Sequence, residues 1–176
     1  MSQLKYGPVI QLGYVVEDLD ASIGHWMDTM GVGPWTVFRN VTMEGVCRGQ
    51  ATTVRIDVAL GYQNELQVEL IQQTSDTVSP YRTPEGKPIL GLHHIAWLTD
   101  DLDGVVAQAE ADGAKTIFRA QNPGTRVAYL TLPDEADTRI EFIESASTAD
   151  LIKAGIAATK DWDGTNPVTV IDFAAQ

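Results

Sequence analysis

Residues 11–20 read QLGYVVEDLD, and residues 94–103 read HIAWLTDDLD. Laid over one another, Gly13 falls on Ala96, Tyr14 on Trp97, and Asp18-Leu19-Asp20 on Asp101-Leu102-Asp103. Each stretch is an apolar run of strand type that ends in an acidic tripeptide. Such self-similarity marks a repeated supersecondary unit. The residues after each copy have helical spacing. Leu19, Ile23, Trp26, Met27 and Met30 share one face of a 3.6-residue period, as do Leu102, Val105, Val106 and Ala109. The aspartate before each helix suits its unsatisfied N–H groups, and Gly31 and Gly113 stand where helices stop.

A second pair of segments closes each half. Residues 67–73 read QVELIQQ and residues 139–145 read RIEFIES, each with a glutamate inside an apolar strand, Glu69 and Glu141. Between the markers lie strand-like runs near 36–38, 51–60, 116–118 and 126–132. Each half therefore reads strand, helix, strand, strand, strand. The chain is α+β, with a first βαβββ module over 1–75 and a second over 91–145. The stretch 76–90 between them, rich in turn residues, is read as a crossover loop. The remainder, 146–176, holds a helix at about 148–159 and then the apolar run VTVIDF, an edge strand or an arm against a partner subunit.

Strand parity points to a site. Side chains alternate faces along a strand. The repeat sets Gln11 equivalent to His94 and Glu69 equivalent to Glu141, so a pseudo-twofold fold brings all four to one place. Burying one unpaired carboxylate is costly, and facing two of them is worse. A divalent cation removes both penalties. One amide oxygen, one imidazole nitrogen and two carboxylates form a mixed shell suited to Zn²⁺, Ni²⁺, Co²⁺, Mn²⁺ or Fe²⁺. Taken singly, each residue has a plainer reading. A strand glutamate usually faces solvent or pairs with arginine, and Arg55 and Arg139 are available. A lone histidine is more often structural. By parity His93 falls on the face opposite His94, as Tyr14 and Trp97 do, and these two aromatics are expected to pack under the helices.

Composition narrows the partners. The formal net charge of -12 argues against nucleic acid and anionic membranes. No apolar run reaches membrane-spanning length, and the N-terminal residues lack the apolar core of a signal peptide. Cys47 is the only cysteine, which excludes an intrachain disulfide and a cysteine-based zinc site. A cytoplasmic location is the resulting expectation.

The segments GYVVEDLDASIGHWMDTMGVGPW, QVELIQ, GLHHIAWLTDDLD and RIEFIE, in this order, resemble a glyoxalase-type domain of the vicinal oxygen chelate superfamily over about residues 7–145. The GLHH segment is similar to that of the methylmalonyl-CoA epimerase branch. The resemblance implies a cupped mixed sheet, the glyoxalase/bleomycin resistance/dioxygenase fold. It implies a divalent metal held by Gln11, Glu69, His94 and Glu141. It implies proton movement next to a metal-bound carbonyl through an enediolate, by a glyoxalase-like lyase or an epimerase/isomerase. Glu141 is then the first choice of base and Glu69 the second. Epimerases carry histidine where this chain has Gln11, and their additional glutamate on the third strand has no clear match in TTVRIDVAL, where Arg55 and Asp57 sit nearby. Some glyoxalase I enzymes use a Gln, Glu, His, Glu set of the same type and order. Two alternatives share the fold: a drug-binding protein of the bleomycin-resistance type, with Tyr14, Trp26, Trp35 and Trp97 available to line a cavity, and an extradiol dioxygenase. The dioxygenase needs two histidines and one carboxylate, and of the three histidines only His94 is suitably placed, with His25 on the first helix. The resemblance further implies a homodimer, a carboxylate or thioester substrate, and a crossover overhanging the cup, from which Arg82 or Lys87 could reach an anionic group.

Overall fold

The computed structural model describes residues 4–175. The first half forms β1 (Gln11–Val15), α1 (Leu19–Met30), β2 (Trp35–Cys47), β3 (Gln50–Gln63) and β4 (Leu66–Gln73). The second half repeats the order as β5 (Gly91–Leu98), α2 (Leu102–Ala111), β6 (Lys115–Asn122), β7 (Thr125–Leu132) and β8 (Glu135–Glu144). Helix α3 (Thr148–Lys160) and β9 (Val168–Asp172) come after them. Among the described residues, no helix is long and apolar enough to cross a membrane.

The expected α+β fold of two βαβββ modules in one cupped mixed sheet is what forms. Within the halves the strands run β3-β4-β1 and β5-β8-β7-β6, and antiparallel pairing of β1 with β5 joins them. Strand β2 pairs with β3 along one edge and with β6 through Glu44–Cys47 on the other, so the eight strands close on themselves. Gly45 sits at this closure, where a Cβ would overlap the β6 backbone at Arg119 and Ala120. The run VTVIDF supplies an edge strand: β9 lies parallel to the start of β2, with all five residues exposed.

Helix placement follows from the caps. Asp18 accepts from the Ala21 N–H and Asp101 from the Gly104 N–H. The repeat extends further than these aspartates. The Leu19 N–H donates to Gln72 and the Leu102 N–H to Glu144, each three residues beyond its half's strand glutamate. Helix α1 buries Leu19 and Ile23 on Val68 and Leu70, while α2 buries Leu102, Val106 and Ala109 on Ile140 and Phe142. Tyr14 packs on Trp26 at 5.1 Å between ring centroids, and Trp97 joins the α2 cluster, as parity requires. The opposite, inner face carries Val15, Val54, Ile56, Val58, Ile71, Ala96, Phe118, Tyr129 and Ile143. Burying such side chains is worth about 1.5–3 kcal/mol each, and this drives both faces of the sheet. Alternation along β1, β4, β5 and β8 then decides which polar groups enter the inner layer.

Candidate metal centre

Gln11, Glu69, His94 and Glu141 stand on four consecutive strands of the sheet, β4-β1-β5-β8. Three oxygens converge on one nitrogen. His94 Nε2 lies 3.0 Å from Glu141 Oε2, 3.4 Å from Glu69 Oε2 and 3.2 Å from Gln11 Oε1. Gln11, His94 and Glu141 are buried, and the Glu69 side chain keeps 15% of its exposure. Gly13 makes the approach possible: β1 pairs it with His94, and a Cβ there would overlap the imidazole ring.

The electrostatics of this cluster are unbalanced. Two unit charges about 4 Å apart repel by roughly 4 kcal/mol at the effective dielectric of a protein. One ligand atom from each of Glu69, His94 and Glu141 lies within 4.8 Å of the others. Glu69 Oε2, Glu141 Oε2 and Gln11 Oε1 all face the single His94 Nε2, whose one hydrogen satisfies at most one of them, so buried carboxylate oxygen is left over. Burial, reinforced by Glu141, raises the Glu69 pKa against the pull of His94. Burial opposes charge on His94, but Glu141 and Glu69 outweigh it and raise its pKa to about 9. In the metal-free protein the imidazolium is therefore the cation of the cluster. More buried oxygens than one imidazole N–H can satisfy are what a divalent cation satisfies. The residues present fit such an ion, with Glu69, His94 and Glu141 as ligands and the Gln11 oxygen beside them.

The Gln11 amide is held from behind. Its Nε2 donates to Gln67 Oε1 at 2.7 Å, and Gln67 Nε2 donates to the Tyr62 hydroxyl at 2.6 Å. This chain of bonds leaves the Gln11 oxygen turned toward His94. Tyr62 lies against α3, since a Cβ at Gly155 would overlap its ring.

His93 does not lie on the far face. Strand β5 carries a bulge: Gly13 pairs with His94 and Tyr14 with Leu92, which leaves His93 unpaired. An extra residue in a strand breaks alternation locally. Both imidazoles are buried, and their Nδ1 atoms are 3.0 Å apart. His93 Nε2 is 2.8 Å from the Pro80 carbonyl oxygen. Burial, and then the charge of His94, lowers the His93 pKa to about 3.

The other candidate residues lie elsewhere. Arg55 and Asp57 point outward from β3, where Arg39 pairs with Asp57 at 2.9 Å. The inner positions of β3 are Val54, Ile56, Val58, Leu60 and Tyr62, so none offers a carboxylate. Arg82 donates to the Gly86 carbonyl of its own loop, and Lys87 and His25 are exposed. Gln67, Tyr62, Tyr81 and Tyr129 are not among the residues expected from sequence. Gln67 was within reach of parity, two residues before Glu69. Tyr129 needed the register that pairs it with Glu141. The Tyr81 and Tyr129 hydroxyls are 3.2 Å apart, and burial, then Glu141, keeps both pKa values well above the usual phenol value.

A family model described as the Glyoxalase/Bleomycin resistance protein/Dioxygenase superfamily matches residues 10–129. The chain belongs to this superfamily. The match takes in Gln11, Glu69 and His94 and ends before Glu141, whose place rests on the β5–β8 pairing. Several solved structures align across most of the chain. A hypothetical protein from Bacillus halodurans C-125 is 19% identical, with a TM-score of 0.53, over 78% of this chain and 94% of that one. Methylmalonyl-CoA epimerase from Mycobacterium tuberculosis is 17% identical, with a TM-score of 0.50, over 81% and 91%. These likenesses concern the fold. No curated protein matches the sequence.

Proposed function

We propose that this member of the superfamily is a metal-dependent enzyme, a glyoxalase-like lyase or an isomerase/epimerase, that moves a proton α to a carbonyl of a small carboxylate or thioester. One observation carries the reading: two buried carboxylate oxygens and the Gln11 oxygen crowd one nitrogen of a buried histidine, which can satisfy only one of them at a time. A divalent cation bound by Glu69, His94 and Glu141 supplies Lewis acidity, which lowers the cost of negative charge on a substrate oxygen.

The chain's own groups carry the rest. Glu141 accepts the α-proton as a carboxylate displaced from the ion or loosely bound to it, and its burial keeps bulk water away from it. The electron pair left on carbon spreads onto the carbonyl oxygen, and the proton returns from the same carboxylate. Glu69 is the second candidate for this role. Tyr81 and Tyr129 keep their protons, so one phenol hydrogen joins the pair and the other is free to donate to that oxygen. The absence of a carboxylate on the inner face of β3 favours one base over a facing pair.

The test is exchange of a substrate α-proton for deuterium in D₂O, monitored by NMR over a panel of small keto acids and α-carboxy thioesters. Exchange should require a divalent cation, vanish with chelator and fall by about a hundredfold or more in Glu141→Gln. Unchanged exchange in that variant would move the base to Glu69 or off the cluster. A protein that binds none of Zn²⁺, Ni²⁺, Co²⁺ or Mn²⁺, with no rise in Tm on adding them, is instead a small-molecule binder.

A further inference from the structure

We infer that His93 is a positioning residue: it sets which nitrogen of His94 faces the ligand cluster and ties that choice to the crossover between the halves. The inference rests on the metal reading for one of its two readouts only.

Donors and acceptors decide the assignment. A carbonyl oxygen only accepts, so the 2.8 Å contact between His93 Nε2 and the Pro80 oxygen requires a hydrogen on that nitrogen. The 3.0 Å contact between the two Nδ1 atoms holds a single hydrogen. Placing it on His93 would make a buried imidazolium with no carboxylate against it. The carboxylates face the far edge of His94, and the charges felt by His93 are those of His94, Arg139 and Arg48. His93 Nδ1 is therefore the acceptor and His94 Nδ1 the donor. When His94 is neutral, its Nε2 lone pair faces Gln11, Glu69 and Glu141.

This outcome is not automatic. Glu141 Oε2 at 3.0 Å, Gln11 Oε1 at 3.2 Å and Glu69 Oε2 at 3.4 Å all pull a hydrogen onto His94 Nε2, which is the wrong tautomer for a ligand. His93 provides the opposing pull. The Pro80 carbonyl that orients His93 is itself fixed. Ser79 is buried; its Oγ donates to Gln73 Oε1 at 2.6 Å and accepts from the Tyr81 N–H at 3.1 Å. Arg48 donates to the Ser79 carbonyl at 3.2 Å. The crossover thus reaches the centre through two imidazoles.

Two amides separate this role from simple anchoring of the loop. In His93→Asn the side-chain oxygen replaces the Nδ1 acceptor and the bond to Pro80 is lost. In His93→Gln the amide nitrogen replaces the Nε2 donor and the acceptor is lost. His93→Leu loses both. Cobalt titration should give His93→Asn an affinity within about threefold of wild type, while His93→Gln and His93→Leu fall by about 10–100-fold. The reverse order, with Gln retained and Asn lost, would show a loop anchor and overturn the inference. The second readout needs neither metal nor variant. In ¹⁵N–¹H spectra of the metal-free wild type, above the pH at which His94 loses its second proton, His94 should be the Nδ1–H tautomer. Only three histidines compete for assignment. An Nε2–H tautomer there overturns the inference. If wild type binds no cobalt, the metal reading fails, and this spectrum alone decides the role of His93.

Discussion

The two halves bring different chemistry to equivalent positions. At the first strand of its module the first half offers an amide, Gln11, and the second offers an imidazole, His94. Each is held from behind by its own set of groups: Gln67 and Tyr62 of the first half behind Gln11, and His93 with Pro80 of the crossover behind His94. The strands differ to match. Strand β1 carries Gly13, which leaves room for a ring, and β5 carries the bulge that sends a second ring inward. The glutamates alone are symmetric. A repeat can thus keep its backbone plan while each half specialises the polar side chain it contributes and the groups that aim it. Second partners of this kind commonly change metal affinity by about 10–100-fold, so the asymmetry is open to measurement.

The largest effect is expected at Gly13. In Gly13→Ala the new methyl overlaps the His94 ring, which must leave the cluster. Overpacking of this kind costs about 1–3 kcal/mol of stability. Cobalt affinity should fall by more than about a hundredfold, since a ligand is displaced rather than detuned. Calorimetry and urea denaturation read the first effect, and titration reads the second. Near-wild-type affinity would mean that His94 is not a ligand.

Acidity comes next, and its sign follows from His94. In the metal-free protein this group holds its second proton up to about pH 9. Proton and cation compete for Nε2, so affinity should rise with pH up to that point and then level. Below it, the slope should be about tenfold per unit, or about a hundredfold between pH 9 and 7, with close to one proton released per ion bound. Calorimetry in buffers of different ionisation enthalpy counts that proton. A flat profile would remove the imidazole from the ligand set.

Gln67→Leu breaks the first half's support alone. The Gln11 amide loses its orienting acceptor, so metal affinity should drop by about tenfold, and the unpaired buried donor should cost about 1–3 kcal/mol of stability. An effect as large as that of Gly13→Ala would make the amide chain the dominant support. The mildest perturbation is Gly155→Ala on α3. Its methyl presses on Tyr62, two hydrogen bonds removed from Gln11. A loss of a few-fold in affinity is expected, and no further loss when Gly155→Ala is added to Gln67→Leu.

The sequence by itself determined the modules, both helices with their aspartate caps, and the set of Gln11, Glu69, His94 and Glu141. The reason is that all of these come from local periodicity and from a repeat that maps one half on the other. The wrong assignment, His93 on the outer face, also came from periodicity. Strict alternation cannot foresee an extra residue, because a bulge is defined only against the partner strand, here at Gly13 and Tyr14. The same limit hid Tyr129, which meets Glu141 only through the β7–β8 register, and Pro80, which reaches His93 across a loop without periodicity. Tertiary structure alone decided how these four side chains are aimed. Direction at a metal centre depends on donors and acceptors brought together by strand pairing, and their spacing along the chain carries no trace of it.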